Sequence, residues 1–442
     1  MRSINIVFFI IICAFAAFGQ KPDDILATSK GHEIRLRDLP QDIQKIVADY
    51  PANLPKSRSS LFDQMINEKV LDLEAKERGV TAGRLIANEK AKLPAPTEAE
   101  IKATYDAQRS AIGQRTLDEV RKPIIDYLRR QAEQKMLAAL LTSLKTKYKV
   151  TAGKDVNAAG LAPTEAVATV NGQPITLKDF EDYARIPLAM DKADLGDLIA
   201  DSIDDVLFNV LLADEAKALG IDQGTLIGRE ITDKLKEFSD EERDARVNDL
   251  RKSLYAKYQV KILYAAPEPM IVNVSTGTSP SSGPANAPVT VVMFSDFQCS
   301  ACSATHPVLK KVLESYPGKI RFVVRNFPLE GLHANAWKAA LAAEAANAQS
   351  KFFEYVDVLY THQDALDDAS LKKYAADLGL NAKQFELDFN SEKTAATVRK
   401  DMTDGESYGI GGTPAVYING VWVRDLTADS FKAAIDKALG TK

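Results

Sequence analysis

The feature that most constrains this chain is a pair of cysteines three positions apart, Cys299-Ser300-Ala301-Cys302. The pair follows a strand-like run, Val289-Thr290-Val291-Val292-Met293-Phe294, and precedes a helical pattern. A C-x-x-C at such a junction puts the first sulfur at a helix N-terminus. There, unpaired backbone N–H groups and the positive end of the helix dipole favour a thiolate. The second sulfur lies one turn inside, within reach of the first. That arrangement suits thiol–disulfide exchange, in which one sulfur attacks and the other resolves the mixed disulfide.

Other uses of the pair are poorer fits. Zinc wants four ligands, and the chain has no second cysteine pair; His306, His32, His333 and His362 are scattered. A static disulfide across so short a loop would stabilise little. His306 reads as a packing or helix-surface residue, and Asp296 as one that caps or orders its loop. Trp337, Trp422, Phe352, Phe353 and Tyr355 sit in core-like patterns. No glycine-rich phosphate loop, telling carboxylate pair or nucleophile elbow is present, so redox chemistry is the enzymatic candidate. It needs no cofactor, because the electrons reside on the two sulfurs.

At 442 residues the chain is long enough for two or three domains. A hydrophobic content of 45% and a charged content of 26% predict ample core material. The net charge of −5 gives no electrostatic reason to expect nucleic acid. The N-terminus reads as a signal peptide over 1–19: Arg2, the apolar stretch Ile4 to Phe18, and a small-x-small site at Ala17-Phe18-Gly19. Cys13 would leave with it, and an uncleaved anchor is the alternative. Export to the periplasm or beyond would place the remaining cysteines where disulfides persist.

A repeat occupies the first 265 residues. Pro22, Ala27, Thr28, Gly31, Ile34, Leu36 and Asp38 match Pro163, Ala168, Thr169, Gly172, Ile175, Leu177 and Asp179 at a constant offset of 141. Glu74, Ala75, Lys76, Gly79 and Leu85 match Glu215, Ala216, Lys217, Gly220 and Leu226 at the same offset. Later, Ser143, Leu144, Lys147, Tyr148 and Val150 match Ser253, Leu254, Lys257, Tyr258 and Val260 at an offset of 110. The pattern predicts two related modules, at 20–152 and 163–264, the second shorter in its middle. Each opens with an extended piece and turn and continues into helices. Thr97 is a predicted N-cap, Gly79 a helix stop, and Leu117 to Tyr148 a long helix whose start or kink Pro123 marks.

This half resembles the helical chaperone region of SurA-type periplasmic folding factors and related parvulin-family exported chaperones. The resemblance rests on Val170 to Thr176 with Asp179-Phe180, the twice-used Glu-Ala-Lys-x-x-Gly helix end, and Pro96-Thr97-Glu98-Ala99-Glu100-Ile101. It implies client holding. The family's isomerase domain has no visible counterpart, so proline isomerisation is not implied. A dimerisation or spacer module is the plainer reading of the same helices.

After a linker at 265–269, the expected order is strand (Met270 to Val274), loop, strand, C-x-x-C helix, strand, helices, a hairpin turning at Asn419-Gly420, and a last helix capped by Thr427. The segment from 270 to 442 resembles the DsbA-like thioredoxin-fold oxidoreductases over about 170 residues. Phe294 to Cys302, preceded by Gly283 to Pro288, and Gly409 to Ala415 carry the likeness. By that resemblance Cys299 is the nucleophile, Cys302 the resolving thiol, and Thr413-Pro414 a cis-proline loop that docks substrate. A helical insertion would occupy about 332–407. The Ser300-Ala301 dipeptide lacks the histidine of the most oxidising relatives, and Met293 stands where a buried acid often does. The first implies moderate thiolate stabilisation and a reduction potential of roughly −130 to −240 mV; the second implies the loss of one proton acceptor for Cys302.

The expected fold is therefore multidomain: a mainly α-helical, duplicated, chaperone-like N-terminal half and an α/β thioredoxin fold with inserted helices. The expected function is exported thiol–disulfide exchange on unfolded or cysteine-containing proteins. A membrane redox partner and a homodimer are compatible with it, and nucleic acid is not expected. The alternatives are a holdase or adaptor without turnover, and a disulfide reductase or isomerase.

Overall fold

The computed structural model describes residues 21–440, so the leader at 1–19 lies outside the described residues. In chain order, β1 (Ile25–Ser29) and β2 (His32–Arg35) form a hairpin. Five helices follow: α1 (Gln41–Arg78), α2 (Ala82–Lys90), α3 (Glu98–Ala107), α4 (Arg109–Ile112) and α5 (Leu117–Lys147). Then come β3 (Thr151–Ala152), β4 (Ala166–Val170), β5 (Gln173–Thr176), α6 (Leu177–Ala218), α7 (Gln223–Glu230), α8 (Asp240–Lys257) and β6 (Lys261–Ile262). The remainder holds β7 (Ser281–Ser282), β8 (Val289–Ser295), α9 (Ser300–Leu313), β9 (Ile320–Asn326), α10 (Ala336–Asn347) and α11 (Phe352–Thr361). It ends with α12 (Asp368–Asp377), α13 (Ala382–Phe389), α14 (Glu392–Ser407), β10 (Ala415–Ile418), β11 (Val421–Val423) and α15 (Ala428–Leu439).

Local chemistry explains most of these boundaries. Thr97 and Thr116 accept from the backbone N–H of Glu100 and Glu119, whose carboxylates reach back in return. That second capping box starts α5 at Leu117, so Pro123 is neither its start nor its end. It lies inside the helix, past the first turn, where its missing N–H forfeits the bond that the Glu119 carbonyl would otherwise accept. Gly79, at φ +67°, terminates α1 as expected.

The chain divides into two compact units, each assembled from separated stretches: one through Arg58 together with Leu188–Pro269, the other Ser59–Pro187 together with the chain from Met270. The breaks fall inside α1 and α6. These units do not coincide with the sequential stretches 20–152 and 163–264, because strands are exchanged. The β1–β2 hairpin is extended by β6, whereas β4–β5 is extended by β3. Correspondingly, the N–H of Lys30 donates to the Tyr258 carbonyl, and the N–H of Asn171 to that of Tyr148.

Positions paired by the two sequence offsets make matching contacts. In one place Lys147 and the Tyr148 hydroxyl donate to Glu74; in the other Lys257 and the Tyr258 hydroxyl donate to Glu215. The first unit's core sets hairpin residues Leu26, Ala27 and Ile34 against an i, i+4 stripe on α6, Leu195, Ile199, Ile203 and Leu207.

In the other unit, five strands pair in the order β11-β10-β8-β9-β7. Strands β8 and β9 run parallel, joined through α9; the other pairings are antiparallel. Strand β8 is central and buried on both faces, which its β-branched and aromatic run permits. Val289, Val291 and Met293 enter the main core with Phe322 and Val324. The alternate residues Phe294 and Arg325 face a second layer. Helix α15 packs on α9 and on β8, β10 and β11, and α14 packs on β9. Residues 270–274 do not form the expected strand; one isolated bridge, Ile271 to Val421, is all they contribute. The serine-rich segment after them is tied down instead, with Ser281–Ser282 as an edge strand on β9.

Candidate active site

Strand β8 delivers the chain to the site, and Asp296 turns it. Its buried carboxylate accepts from the N–H of Gln298 at 2.7 Å, the N–H of Leu329 at 2.8 Å and pairs with His333 Nδ1 at 2.8 Å. One carboxylate thus orders the loop before the cysteines and the loop after β9, which extends the loop-ordering role read from sequence. Two side chains add further stitches. Gln363 donates to the carbonyls of Phe297 and Cys299, at 3.1 and 2.8 Å. Gln298 accepts from the N–H of Asn335 at 2.7 Å. His333 and Gln363 carried no sequence signal, since each lies more than thirty positions from the cysteines and in no motif.

Cys299 is the N-cap of α9, extended at φ −78° and ψ 122°, and Cys302 sits in the first turn. Both are free thiols. Cys299 keeps 8% of its surface and Cys302 none, so only the first is open to a reaction partner. The peptide bond between Thr413 and Pro414 is cis, and the Thr413 carbonyl oxygen lies 3.5 Å from Cys299 Sγ. The four residues singled out by sequence, Cys299, Cys302, Thr413 and Pro414, therefore meet at one place.

Their electrostatics are opposed. The Cys299 thiol is held down at about 5 from an ordinary 9.0, chiefly by the hydrogen bond from Cys302, with backbone N–H groups of Cys302 and Ala301 adding to it. Cys302 is pushed far up, mainly by burial and then by its bond to Cys299. A depression of this size needs no charged side chain in the Ser300-Ala301 dipeptide. The donors come from the neighbouring thiol and the helix N-terminus, where a dipeptide side chain is not required. His306 is 5% exposed and packs its ring against Tyr360 and Phe322, as a packing residue. Met293 is wholly buried in the core.

The parallel β8–α9–β9 unit, the antiparallel β10–β11 hairpin and closing helix α15 form one sheet-and-helix assembly around these residues, and residues 275–437 match the family model described as Thioredoxin. This segment is a thioredoxin-like domain. Curated relatives include Na(+)/H(+) antiporter NhaA 3 of Salinispora tropica, 38% identical over 138 residues, covering 31% of this chain and 21% of that protein. Another is Na(+)/H(+) antiporter NhaA 1 of Mycolicibacterium gilvum, 31% identical over 172 residues, covering 38% and 28%. The chain thus spans only about a fifth to a quarter of the length of these relatives. Among the described residues, no helix is long and apolar enough to cross a membrane. The crystal structure of a thioredoxin-like oxidoreductase from Silicibacter pomeroyi DSS-3 matches with 24% identity and a TM-score of 0.35, over 38% of this chain and 95% of that one.

What the thioredoxin-like domain offers chemically is an asymmetric dithiol: one thiol held towards the thiolate in a residue that keeps a little exposure, and one held protonated and fully buried beside it.

Proposed function

We propose that this chain is an exported thiol–disulfide oxidoreductase acting on cysteine-containing proteins. The observation that carries the reading is the opposition between the two thiols, Cys299 held down at about 5 and Cys302 raised. A group ionised at neutrality attacks without a separate base, and a group protonated at neutrality waits until the mixed disulfide exists. Cys299 thiolate attacks a client disulfide, forms a bond to one client sulfur and releases the other as thiolate. Cys302 then gives up its proton and attacks Cys299 Sγ. The second client sulfur departs and takes up a proton, the client is reduced, and the Cys299–Cys302 pair is oxidised. The reverse sequence oxidises a client dithiol.

Thr413 and Pro414 would dock the client backbone beside Cys299, in the manner of an added strand. The helical stretches would hold clients near the sulfurs. Supporting this, α2 contacts the loop after β9: Thr81 donates to Glu330 at 2.5 Å and Lys90 to the Gly331 carbonyl at 3.3 Å. The same loop displays Leu332 at 74% exposure, an apolar contact point between Glu330 and the Asp296 partner His333.

The test is insulin reduction and oxidative refolding by the mature chain, with Cys299→Ser and Cys302→Ser beside it. Activity should vanish in C299S, and C302S should accumulate a mixed disulfide with client. A wild-type chain inactive in both assays, or a C299S variant that retains activity, overturns the reading. Equilibration with glutathione should give a potential of roughly −130 to −240 mV. Aggregation suppression that survives in C299S would assign client holding to the helices.

A further inference from the structure

Cys299 opens α9, yet a side chain from the helices between β9 and β10 holds its backbone. Gln363 lies on the turn between α11 and α12. Its amide Nε2 donates to two carbonyls at once, that of Phe297 at 3.1 Å and that of Cys299 at 2.8 Å. Two carbonyl acceptors at these distances fix the NH₂ side of the amide towards the site. The Cys299 carbonyl also accepts from the N–H of Ser303 at 3.1 Å, the first bond of the helix, and the Cys299 N–H donates to the Asp296 carbonyl at 3.1 Å. Both main-chain polar groups of Cys299 are thus engaged, and one side chain bridges the carbonyls on either side of Gln298.

The turn that carries Gln363 is itself tied down. The His362 N–H donates to the Val358 and Leu359 carbonyls, at 3.1 and 3.2 Å, and the Ala365 N–H to the His362 carbonyl at 2.9 Å. The Tyr374 hydroxyl donates to the Ala365 carbonyl at 2.9 Å, and Leu366 is fully buried. Close by, α11 is joined to α9 and β8. Ser303 Oγ donates to the Tyr360 carbonyl at 3.1 Å, and the Tyr360 hydroxyl is hydrogen-bonded to Ser295 Oγ. A clamp built on so fixed a support can place an atom closely.

We propose that Gln363 is a positioning residue for Cys299: by clamping the Phe297 and Cys299 carbonyls, it holds the attacking sulfur in line with the free N–H groups at the start of α9. This deepens the redox reading above and rests on it. Those N–H groups stabilise a thiolate only while Sγ stays in their line, because a hydrogen bond weakens steeply as it bends. Without the clamp, the backbone at Gln298 and Cys299 can turn, and the sulfur spends part of its time out of register. The ionised form then loses stabilisation, while the protonated form loses little. The titratable groups around Cys299 are Cys302 on α9, Tyr360 on α11, and Asp296 with its partner His333 on the two loops. The Gly411-Gly412-Thr413-Pro414 turn brings none. Gln363 is uncharged, so replacing it by another uncharged side chain leaves that set of charges unaltered.

The ultraviolet absorbance of the thiolate, followed against pH on the reduced mature chain with C299S as the blank, reads the ionisation midpoint of Cys299. Gln363→Met keeps the length of the side chain and loses its donor. In that variant the midpoint should rise by roughly 0.5–1 unit. A merely structural contact would lower the melting temperature and leave the midpoint where it is. An unmoved midpoint in Q363M therefore overturns the proposal, whatever happens to its stability. Should Q363M not fold, Gln363→Asn serves in its place, since its amide ends one carbon short of the two carbonyls. Its midpoint should rise by a smaller amount, and an unmoved one overturns the proposal in the same way. If the wild-type midpoint itself lies near the ordinary cysteine value, the opposition between the two thiols fails and takes this inference with it. A low wild-type midpoint that Gln363 substitutions do not move sinks this inference alone.

Discussion

The Sγ of Cys299 lies 3.5 Å from the carbonyl oxygen of Thr413, a distance at which the protonated thiol donates to that oxygen. Ionisation removes this donor and leaves two electron-rich atoms facing each other. The thiolate then draws its stabilisation from Cys302 and the helix N-terminus, while the Thr413 carbonyl is left open to another donor. On the proposed redox reading, a client N–H arriving as an added strand would be such a donor. On that reading, the same ionisation that readies the sulfur would ready the backbone beside it.

The first prediction follows from the sign of the Cys299 shift. An acid depressed in the folded state contributes stability above its unfolded value, about 8.5, and loses it as pH falls through about 5. The melting temperature of the reduced chain, relative to the oxidised chain, should therefore drop progressively between pH 8.5 and pH 5. Calorimetry with and without dithiothreitol measures this. In C299S the melting temperature of the reduced chain should show no such component over that window. Cys302, raised above its ordinary value, stays protonated in the folded chain throughout and ionises in the unfolded chain only towards the upper end of that window, so the change near pH 5 to 7 belongs to Cys299. Iodoacetamide alkylation of Cys299 should rise with a midpoint near pH 5; a midpoint near 8.5 contradicts the assignment.

A second prediction concerns the layer behind the sheet. Arg325 is fully buried and donates through Nε and Nη2 to Asp401, at 2.8 and 2.6 Å, and through Nη2 to Asp404 at 2.6 Å. Asp401 also accepts from the backbone and side-chain amides of Asn326 and from Ser279. Removing Asp401 leaves the buried Arg325 only the more exposed Asp404 as counter-ion, and leaves the Asn326 amides without their acceptor. Asp401→Ala should cost about 3–5 kcal/mol, measurable by urea denaturation. A loss below about 1 kcal/mol would mean that the clamp between β9 and α14 is relieved by water.

How much of this was readable beforehand depends on the range of the interaction. The cysteines, the strand before them, the Asn419-Gly420 turn and the Thr427 cap are local signals, and each lies where its residue chemistry puts it. The strand exchange was not readable. The duplicated pattern marks two hairpins and two helix ends but says nothing about which β6-like strand completes which hairpin. His333, Gln363 and Tyr360 were invisible for the same reason, since only the folded chain brings them to Asp296, Cys299 and Ser295. The expected strand at 270–274 failed because its apolar residues gain a single bridge at the sheet edge and no ladder.

The matched polar clusters give a third prediction. Glu74 is almost fully buried and accepts from Lys147, Tyr148 and Arg78, which hold its carboxyl down at about 2. Glu74→Ala leaves those donors without their acceptor and should cost about 2 kcal/mol at pH 7. Because the depressed carboxylate contributes above the ordinary glutamate range, the difference from wild type should shrink as pH falls from 4.5 towards 2. Glu215→Ala removes the matching acceptor of Lys257 and Tyr258 and should lower stability in the same direction. If E215A is neutral while E74A is not, the two sites do not share a structural role.

Glu406 on α14 behaves in the opposite sense. Its side chain is still exposed, and partial loss of hydration, then the like charges of the equally exposed Asp72 and Glu68 on α1, push its carboxyl up to about 7. Asp72 is itself raised, with Lys69 partly offsetting, while Glu68 accepts from the Tyr183 hydroxyl at 2.9 Å. A carboxyl raised in the folded state contributes fully below its unfolded value of 4.5, and the contribution is lost as pH rises through about 7. Glu406→Gln keeps the shape and removes the charge. Its melting temperature should equal that of wild type at pH 4.5 and exceed it by a growing margin up to pH 7, then by a constant one. The margin should shrink in high salt to the extent that it comes from Asp72 and Glu68, and persist to the extent that it comes from lost hydration. An E406Q curve parallel to wild type across this range would show that the three acids are spaced widely enough for water to separate them.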